Sequence, residues 1–414
     1  MKIRILWLVN IELSAIEAEF GRHTVIGGWL EQPARQLAMD DDIELGVVCP
    51  SEDDYFGVKK DNIQFYSFKM GEREEERFDY ILRDFCPEII HIWGTEYTHS
   101  QTMIELAEKK YLLESTVISI QGLIGVCAYH YCEGLPFWVI YHKTFKEWLG
   151  KKTDIVSGYK NMKRLGSIEL LTIKKAKNII GRTEWDLACI KQMNPDAKYY
   201  HCNETLRVEF YSQQWILERC NRHTVFFSQC HYPIKGFHQL LKALPLLIKK
   251  YPDIHVYVVG DNLYEKDSGI HRMKRTSYEW YLLKLIKQFK LENYVTFLGR
   301  LNAHQMIEQY CRANVFVCAS NIENSSNSIG EAMMIGTPVV ASDVGGVKSL
   351  ITHEIEGLLY QQSAYYMLAD CIDRILCNDE LAERLSINAR KRAFLIHDPE
   401  NNRNTLLDIY AKLL

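Results

Sequence analysis

Glu323 and Glu331 are two carboxylates with seven residues between them, in the segment ENSSNSIGE. A strand-like apolar run, NVFVCAS, precedes this segment, and Glu331 falls in the first turn of a predicted helix. The backbone N–H groups at a helix N-terminus attract phosphate. A carboxylate beside them is better placed to accept hydrogen bonds from the hydroxyls of a sugar or a ribose. Together these features predict a site for a sugar nucleotide.

The residues of this segment also have structural alternatives. The backbone amides of Ser326, Asn327 and Ser328 could point at a diphosphate from the start of the helix, and this role is compatible with ordinary helix capping. Ser328 and Glu331 have the spacing of a capping box, so Glu331 could simply cap its own helix. For Glu323 the alternative is a solvated loop carboxylate.

Strand-like apolar runs alternate with amphipathic helical patterns along the whole chain, and the alternation is interrupted only around residues 203–222. This rhythm predicts parallel sheets covered by helices, in two doubly wound, Rossmann-like α/β domains. We expect them to face each other across a cleft, with ligands at the carboxyl ends of the strands. The predicted domains are 1–205 and 206–395, and the segment 396–414 is predicted as a terminal helix that packs back on the first domain.

The bulk composition excludes several classes of protein. With 414 residues, 47% hydrophobic content and a net charge of −4, the chain is typical of a globular protein that does not bind nucleic acid. No apolar run approaches the length of a membrane span, and no export signal is recognisable, so we expect a cytoplasmic protein. The 12 cysteines form no CxxC motif, and neither a metal-binding motif, a GxGxxG nor a P-loop occurs.

A family resemblance appears in three stretches of the second half. The segment ASNIENSSNSIGEAMMIGTPVVASDVGG resembles the signature of retaining glycosyltransferases of the GT-B fold, in particular family 4. The stretch YPIKGFHQLLKALPLLIKKYPDIHVYVVGD is similar to an earlier motif of the same nucleotide-binding domain, and VTFLGRL to the strand that follows it. The likeness extends from about Thr224 to Gly357. It implies a GT-B fold whose second domain binds a nucleoside-diphosphate sugar, while the first binds an acceptor.

The resemblance implies roles for individual residues. Lys235, followed by Gly236, would clamp the donor diphosphate, on which negative charge grows as the glycosidic bond breaks. Glu331 would bind the ribose and Glu323 the donor sugar. The implied reaction is metal-independent hexosyl transfer to a hydroxyl with retention, needing no cofactor. The implied partners are a sugar nucleotide and a glycan or lipid-linked acceptor, in bacterial surface-polysaccharide assembly. A surface lysine at a helix cap is the alternative for Lys235.

The chain departs from the family pattern at one position. Many members carry an arginine a few residues before the lysine, as a second phosphate clamp, whereas this chain has Ser228 and Gln229 there. Arg300 and Arg182 are candidate substitutes, although either could be an ordinary surface arginine. Helix N-termini could also carry more of the phosphate binding.

The first half offers weaker candidates. Gly27 and Gly28 precede a predicted helix, and they could let its N-terminus approach the donor, or form an ordinary strand–helix turn. His91, His99 and His130 could each lie at the carboxyl end of a strand, near the acceptor. Of these we take His130 as the catalytic candidate, although a lone histidine is more often structural.

Residues 135–163 mix aromatic side chains with lysines. They suit peripheral contact with an anionic membrane, or a lipid-linked acceptor, as well as a helix with a basic solvent face.

Two rival functions remain open. A sugar-nucleotide epimerase of the same fold would keep the donor site and lose the acceptor, and a non-catalytic sugar-nucleotide-binding partner of a transferase would bind without turnover.

Overall fold

The computed structural model describes residues 2–20, 28–150, 152–265 and 275–414. The chain divides into two compact units. Unit 1 consists of Met1–Gly125, Arg164–Arg207 and His397–Leu414, and unit 2 consists of Val126–Lys163 and Val208–Ile396. The main division lies near residue 207, and the C-terminal segment belongs to unit 1. The sequence-based boundaries place residues 126–163 in the N-terminal domain. In the structure these residues belong to unit 2.

Unit 1 is built on an eight-stranded sheet. Its strands are β1 (Ile3–Leu8), β2 (Ile43–Pro50), β3 (Phe56–Lys60), β4 (Ile63–Phe68), β5 (Ile89–Trp93), β6 (Thr116–Ser119), β7 (Asn178–Gly181) and β8 (Lys198–His201). The spatial order is β3-β4-β2-β1-β5-β6-β7-β8, and only β3 runs antiparallel to its neighbour. In the central register, Ile5 lies between Leu45 and Ile89. The central strands are almost fully buried, as expected of a parallel sheet covered on both faces.

Unit 2 is built on a six-stranded sheet that is parallel throughout. Its strands are β9 (Thr224–Phe227), β10 (His255–Val258), β11 (Val295–Phe297), β12 (Val315–Cys318), β13 (Val339–Ser342) and β14 (Leu358–Tyr360). The order is β11-β10-β9-β12-β13-β14, so β12 lies between β9 and β13. These three strands are buried along their whole length. Both units therefore have the predicted doubly wound, Rossmann-like architecture.

Helices connect the strands of both units. The described helices are α1 (Ser14–Glu19), α2 (Gly28–Ala38), α3 (Glu74–Phe85), α4 (Thr98–Lys109), α5 (Ile124–Cys127), α6 (Phe137–Ile140), α7 (Phe145–Trp148), α8 (Ile155–Lys175), α9 (Glu184–Met193), α10 (Phe237–Ile248), α11 (Ser277–Phe289), α12 (Ala303–Arg312), α13 (Asn327–Ile335), α14 (Val347–Leu350), α15 (Tyr365–Leu376), α16 (Asp379–Ile396) and α17 (Pro399–Ala411). Short 3-10 turns occur at Ala128–His130, Val208–Tyr211, Leu217–Arg219 and Pro233–Lys235. In the described ranges, no helix combines the length and the apolar character needed to cross a bilayer.

The C-terminal helix α17 completes the core of unit 1. Its side chains Leu406, Ile409 and Tyr410 are buried in the same apolar cluster as Trp7 of β1. The Tyr410 hydroxyl accepts a hydrogen bond from Trp7 Nε1 at 2.9 Å and lies 2.6 Å from Nδ1 of His91 on β5. Because these polar atoms are buried, their shared bonding fixes α17 against the centre of the sheet. The terminal segment thus packs on unit 1.

Candidate functional site

A pocket of about 790 Å³, including its part open to solvent, lies in unit 2. It is formed at the carboxyl ends of β9 and β12 and at the first turn of α13, where parallel α/β sheets commonly bind ligands. Its lining residues are Phe227, Ser228, Gln229, Lys235, Met306, Val317, Cys318, Ser320, Glu323, Ser325, Ser326, Asn327, Ser328 and Glu331. Six of these are candidate site residues from the sequence, namely Lys235, Glu323, Ser326, Asn327, Ser328 and Glu331.

Lys235 and Glu323 form an ion pair on the wall of this pocket. Lys235 Nζ lies 2.6 Å from Glu323 Oε1, and the same oxygen accepts a hydrogen bond from Ser320 Oγ at 2.7 Å. Burial lowers the pKa of Lys235, but the charge and hydrogen bond of Glu323, with smaller contributions from Cys318 and Cys127, raise it, and the net pKa lies above its ordinary value. The ammonium group therefore stays charged, and in this arrangement its charge is compensated by Glu323.

Gly236 has a steric role directly after Lys235. Its φ of +71° lies in the left-handed region, and an added Cβ would lie 1.8 Å from the carbonyl oxygen of Ala319. The two backbone segments are also joined by a hydrogen bond from Asn321 N to the Ile234 carbonyl at 2.7 Å. Only glycine fits this close approach, which brings Lys235 beside the loop that carries Glu323. Gly236 is absent from the pocket lining, so its contact with a donor stays a prediction.

Glu331 lies one turn inside α13. The helix begins at Asn327 with Ser326 as its N-cap, whereas a capping box with Glu331 would need Ser328 in that position. The capping alternative is therefore wrong for this helix. The Glu331 side chain is buried, and the Tyr310 hydroxyl lies 3.4 Å from its Oε2 atom. Its place in the pocket lining is compatible with a role in accepting hydrogen bonds from ligand hydroxyls.

The loops behind the pocket hold Glu323 in place through contacts that the motif does not reveal. Gly346 N donates to the Glu323 carbonyl at 2.9 Å, and Gly345 has a φ of +50° with that carbonyl 2.1 Å from where a Cβ would lie. Ser342 Oγ donates to the carbonyl of Ser320 at 2.5 Å. Ser320 and Ser342 were missed from the sequence, because a serine that follows a strand gives no signal of its partner. The two glycines form a tight packing contact with the loop of Glu323.

His130 belongs to unit 2 and lies in the turn Ala128–His130. Its Nδ1 atom lies 2.9 Å from Glu133 Oε1, and its backbone carbonyl accepts a hydrogen bond from Asn321 Nδ2 at 3.1 Å. Asn321 Nδ2 also lies within 3.2 Å of the Glu133 carbonyl. This turn therefore packs against the loop between Ser320 and Glu323, although the His130 side chain is absent from the pocket lining. Its catalytic role stays a prediction.

The other two histidines are buried in unit 1. His91 lies between the Tyr410 hydroxyl and Ser119 Oγ, at 2.6 and 2.7 Å, and burial lowers its pKa to about 3. His99 of α4 stacks on Tyr97, which precedes the helix, and burial lowers the pKa of His99 to about 4. Both imidazoles are therefore neutral core groups, so the structural alternative accounts for them.

The two candidate replacements for the absent arginine differ in their surroundings. Arg182 is buried in unit 1, pairs with Glu204 and donates to the carbonyls of Ile120 and Gln121 at 3.0 Å. Its contacts are those of a structural arginine. Arg300 is exposed after β11 and is absent from the pocket lining. Lys235 is thus the only cationic side chain among the described residues that line the pocket.

Two site predictions concern Gly27 and Gly28. Gly27 lies outside the described residues, and Gly28 is the first residue of α2. As to metals, the described ranges contain no cluster of three or more His, Cys, Asp or Glu side chains arranged to hold an ion.

Residues 214–392 match the family model described as glycosyl transferases group 1. Among curated proteins, the D-inositol 3-phosphate glycosyltransferase of Corynebacterium urealyticum is 29% identical over 182 residues, which cover 44% of this chain and 41% of that protein. The chain spans less than half the length of the first curated relatives that it matches, between 41% and 46%. The second half of the chain is therefore similar to group 1 glycosyl transferases.

Solved structures resemble the chain over its whole length. Sucrose-phosphate synthase of Thermosynechococcus elongatus has a TM-score of 0.75 at 17% identity, covering 100% of this chain and 99% of that one. Alr3699/HepE of Anabaena in complex with UDP-glucose has a TM-score of 0.66 at 16% identity, covering 99% of each chain. Identities this low show the fold alone, and that fold is GT-B, as predicted.

Proposed function

We propose that this protein is a retaining glycosyltransferase of the cytoplasm. It moves a sugar from a nucleoside-diphosphate sugar to a hydroxyl of a glycan or lipid-linked acceptor, in the assembly of a bacterial surface polysaccharide. The proposal rests on the match of residues 214–392 to group 1 glycosyl transferases and on the chemistry of the pocket in unit 2. No cofactor takes part in the proposed reaction.

The observation that carries the proposal is the Lys235–Glu323 pair beside the first turn of α13. A diphosphate needs a cation and N–H donors, which Lys235 and the start of the helix supply. Sugar and ribose hydroxyls need acceptors, and the two carboxylates Glu323 and Glu331 supply these. Both sets of groups line one pocket of suitable size for a small ligand.

The proposed step breaks the bond between the anomeric carbon and the diphosphate oxygen. The acceptor oxygen bonds to that carbon on the same face, and its proton passes to the departing diphosphate oxygen, so atoms and charge balance. Lys235 and the amides of Ser326, Asn327 and Ser328 stabilise the diphosphate as its negative charge grows. In this scheme the Lys235 ammonium and these amides take the place of the metal ion that other enzymes use. The Glu323 carboxylate exchanges its contact with Lys235 for one with the sugar.

Several solved neighbours support a uridine nucleotide as the first ligand to try. Alr3699/HepE of Anabaena was solved with UDP and with UDP and glucose. TarM of S. aureus was solved as a variant with UDP, α-GlcNAc-glycerol and fondaparinux. We therefore propose a sugar nucleotide and a glycan-type acceptor for this chain too.

The first experiment is calorimetric titration of the full chain with UDP, GDP and ADP, with and without a divalent metal ion. We expect metal-independent binding of one nucleotide. We then expect release of that nucleotide from its sugar derivative in the presence of an acceptor. A change in the donor sugar without any acceptor would instead identify an epimerase. Binding without any turnover would leave a non-catalytic sugar-nucleotide-binding protein.

Two variants of the pair separate its roles, because only one of them should weaken nucleotide binding. Lys235→Met removes a charge-assisted contact, so nucleotide binding should weaken by about 10- to 150-fold. Glu323→Gln removes the competitor for Lys235, so nucleotide binding should hold or tighten while sugar transfer falls. Lys249→Met, at an exposed lysine of the same unit, is the matched control and should change neither. If both pair variants weaken nucleotide binding equally, the pair is only a structural ion pair.

A further inference from the structure

Two short helices of unit 2 expose an unusual run of large apolar side chains. On α6, α7 and the residues directly after them, Phe137 is 75% exposed, Tyr141 61%, Phe145 51%, Trp148 75% and Leu149 62%. Phe137 and Tyr141 are in ring contact at 4.6 Å. Single exposed apolar residues are ordinary, but these five side chains lie within 13 residues, together with Trp138 at 47%, and mark a surface that meets an apolar partner. We call these five side chains the aromatic surface.

The helices that carry the aromatic surface pack against the Rossmann-like core of unit 2. Trp138 of α6 packs edge-on against Trp280 of α11 at 5.8 Å, and His142 stacks on the same indole at 4.0 Å. On α7, the buried Glu147 accepts a hydrogen bond from Ser277 N at 2.8 Å. Because one side of each helix is fixed by these contacts, the exposed side chains are held in place on the solvent side.

The charges of this region are sorted by sign. Between Leu135 and Lys163 the sequence has two carboxylates, Glu147 and Asp154. Both are buried, and Asp154 accepts hydrogen bonds from the amide and hydroxyl of Ser157. The exposed charged residues that the structure describes in this segment are all lysines, namely Lys143, Lys152, Lys160 and Lys163. The half-buried Lys146 adds to them.

We propose that the aromatic surface and the lysines around it bind the surface of an anionic lipid bilayer, without spanning it. Trp, Tyr and Phe are the side chains that settle at the boundary between headgroups and hydrocarbon. Lysines beside them are attracted to anionic headgroups, whereas acidic groups would be repelled, and here the acidic groups are buried. The charge pattern therefore favours a membrane over an uncharged protein surface. This inference goes beyond the proposed reaction and does not depend on the donor pocket.

The test is co-sedimentation of the full chain with vesicles at low ionic strength. One set of vesicles is phosphatidylcholine, and the other is phosphatidylcholine and phosphatidylglycerol in equal parts. We expect binding to the anionic vesicles and its loss when salt is added, because salt screens the lysines. No binding to the anionic vesicles would overturn the proposal, as would equal binding to both sets.

Paired variants then locate the surface. Phe137→Ser with Trp148→Ser should weaken partition into the vesicles at least about tenfold, because two apolar side chains that the bilayer would bury are lost. Lys143→Gln with Lys146→Gln should weaken it by about 30-fold, at the usual contribution of a lysine near an anionic surface. Near-ultraviolet circular dichroism checks that each variant stays folded.

Matched controls carry the same changes elsewhere. Tyr80→Ser with Tyr111→Ser removes two exposed aromatic side chains from unit 1, and Lys249→Gln with Lys391→Gln removes two exposed lysines. Vesicle binding should survive both. If the controls lose binding as much as the paired variants do, the interaction is not specific to this surface. If light scattering shows that Phe137→Ser with Trp148→Ser abolishes a dimer, the occupant is a second copy of the chain and the lipid proposal fails.

Discussion

Replacement of Gly236 by alanine tests whether the close approach of two loops builds the candidate site. Gly236 and Gly299 have the same φ of +71°, but their surroundings differ. At Gly299 an added Cβ meets no atom within 4 Å, whereas at Gly236 it would lie 1.8 Å from the Ala319 carbonyl oxygen. Gly299→Ala therefore measures the cost of the backbone conformation alone, and Gly236→Ala measures that cost plus the steric clash.

The expected magnitudes follow from these distances. A left-handed alanine costs about 1 kcal/mol, so Gly299→Ala should lower the free energy of unfolding by roughly that amount. Gly236→Ala must also separate two backbone segments by about 1 Å. This strain adds roughly 1–3 kcal/mol and threatens the hydrogen bond from Asn321 to Ile234. We expect a total loss of about 2–4 kcal/mol at Gly236.

Hydrogen exchange measured by mass spectrometry is the suitable assay, because a chain of two units need not unfold in one step. Peptides from α10 and from the loop after β12 should lose protection in Gly236→Ala and keep most of it in Gly299→Ala. Nucleotide affinity should fall only in Gly236→Ala, since the clash displaces Lys235 and its neighbour Ser320. Equal losses of protection in the two variants would refute the steric argument.

Two further predictions concern unit 1. Tyr410→Phe leaves Trp7 Nε1 and His91 Nδ1 without their shared partner, so the free energy of unfolding in denaturant should fall by about 1–3 kcal/mol, while Tyr80→Phe on the surface should change little. Burial raises the pKa of Glu169 to about 7, so the folded state favours the protonated acid. The stability that this acid contributes is present below its unfolded pKa and is lost as the pH rises through about 7. Glu169→Gln should therefore flatten the fall in unfolding free energy between about pH 4.5 and pH 7, which amounts to about 3 kcal/mol at most. An unchanged pH profile in the variant would show that Glu169 titrates normally.

The alternation of strands and helices was visible in the sequence because the central strands are buried and apolar. The quoted runs VTFLGRL and NVFVCAS, for example, contain β11 and β12. By contrast, β3 and β8 are edge strands with exposed ends and few apolar residues, and the sequence shows no continuous apolar run there. An edge strand needs no continuous apolar run, because solvent reaches one of its sides. Hydrophobic pattern therefore finds the interior of a sheet better than its border.

The assignment of residues 126–163 to unit 2 could not be predicted for a different reason. The contacts that hold this segment, such as Trp138 with Trp280 and Glu147 with Ser277, join residues more than 120 positions apart. The segment also contains helices of only four residues, which show no periodicity. Local sequence pattern therefore indicates that such a segment exists, but it does not predict which unit the segment packs against.

For the candidate site, the sequence motifs named six of the residues that line the pocket but not how they bond to one another. Among the described lining residues the formal charges are one cation, Lys235, and two carboxylates, Glu323 and Glu331. A pocket with that balance does not favour an anion through its side chains alone. The amides at the first turn of α13 therefore have to supply much of the attraction for a diphosphate, and they act over a short range. Glu323 forms an ion pair with Lys235, and a ligand has to replace this pair. A complete donor offers sugar hydroxyls to Glu323 and a diphosphate to Lys235, so its binding free energy should be more favourable than that of a nucleotide alone. In the proposed reaction, this charge arrangement would favour the complete sugar nucleotide over its product, and so would favour release of the product after transfer.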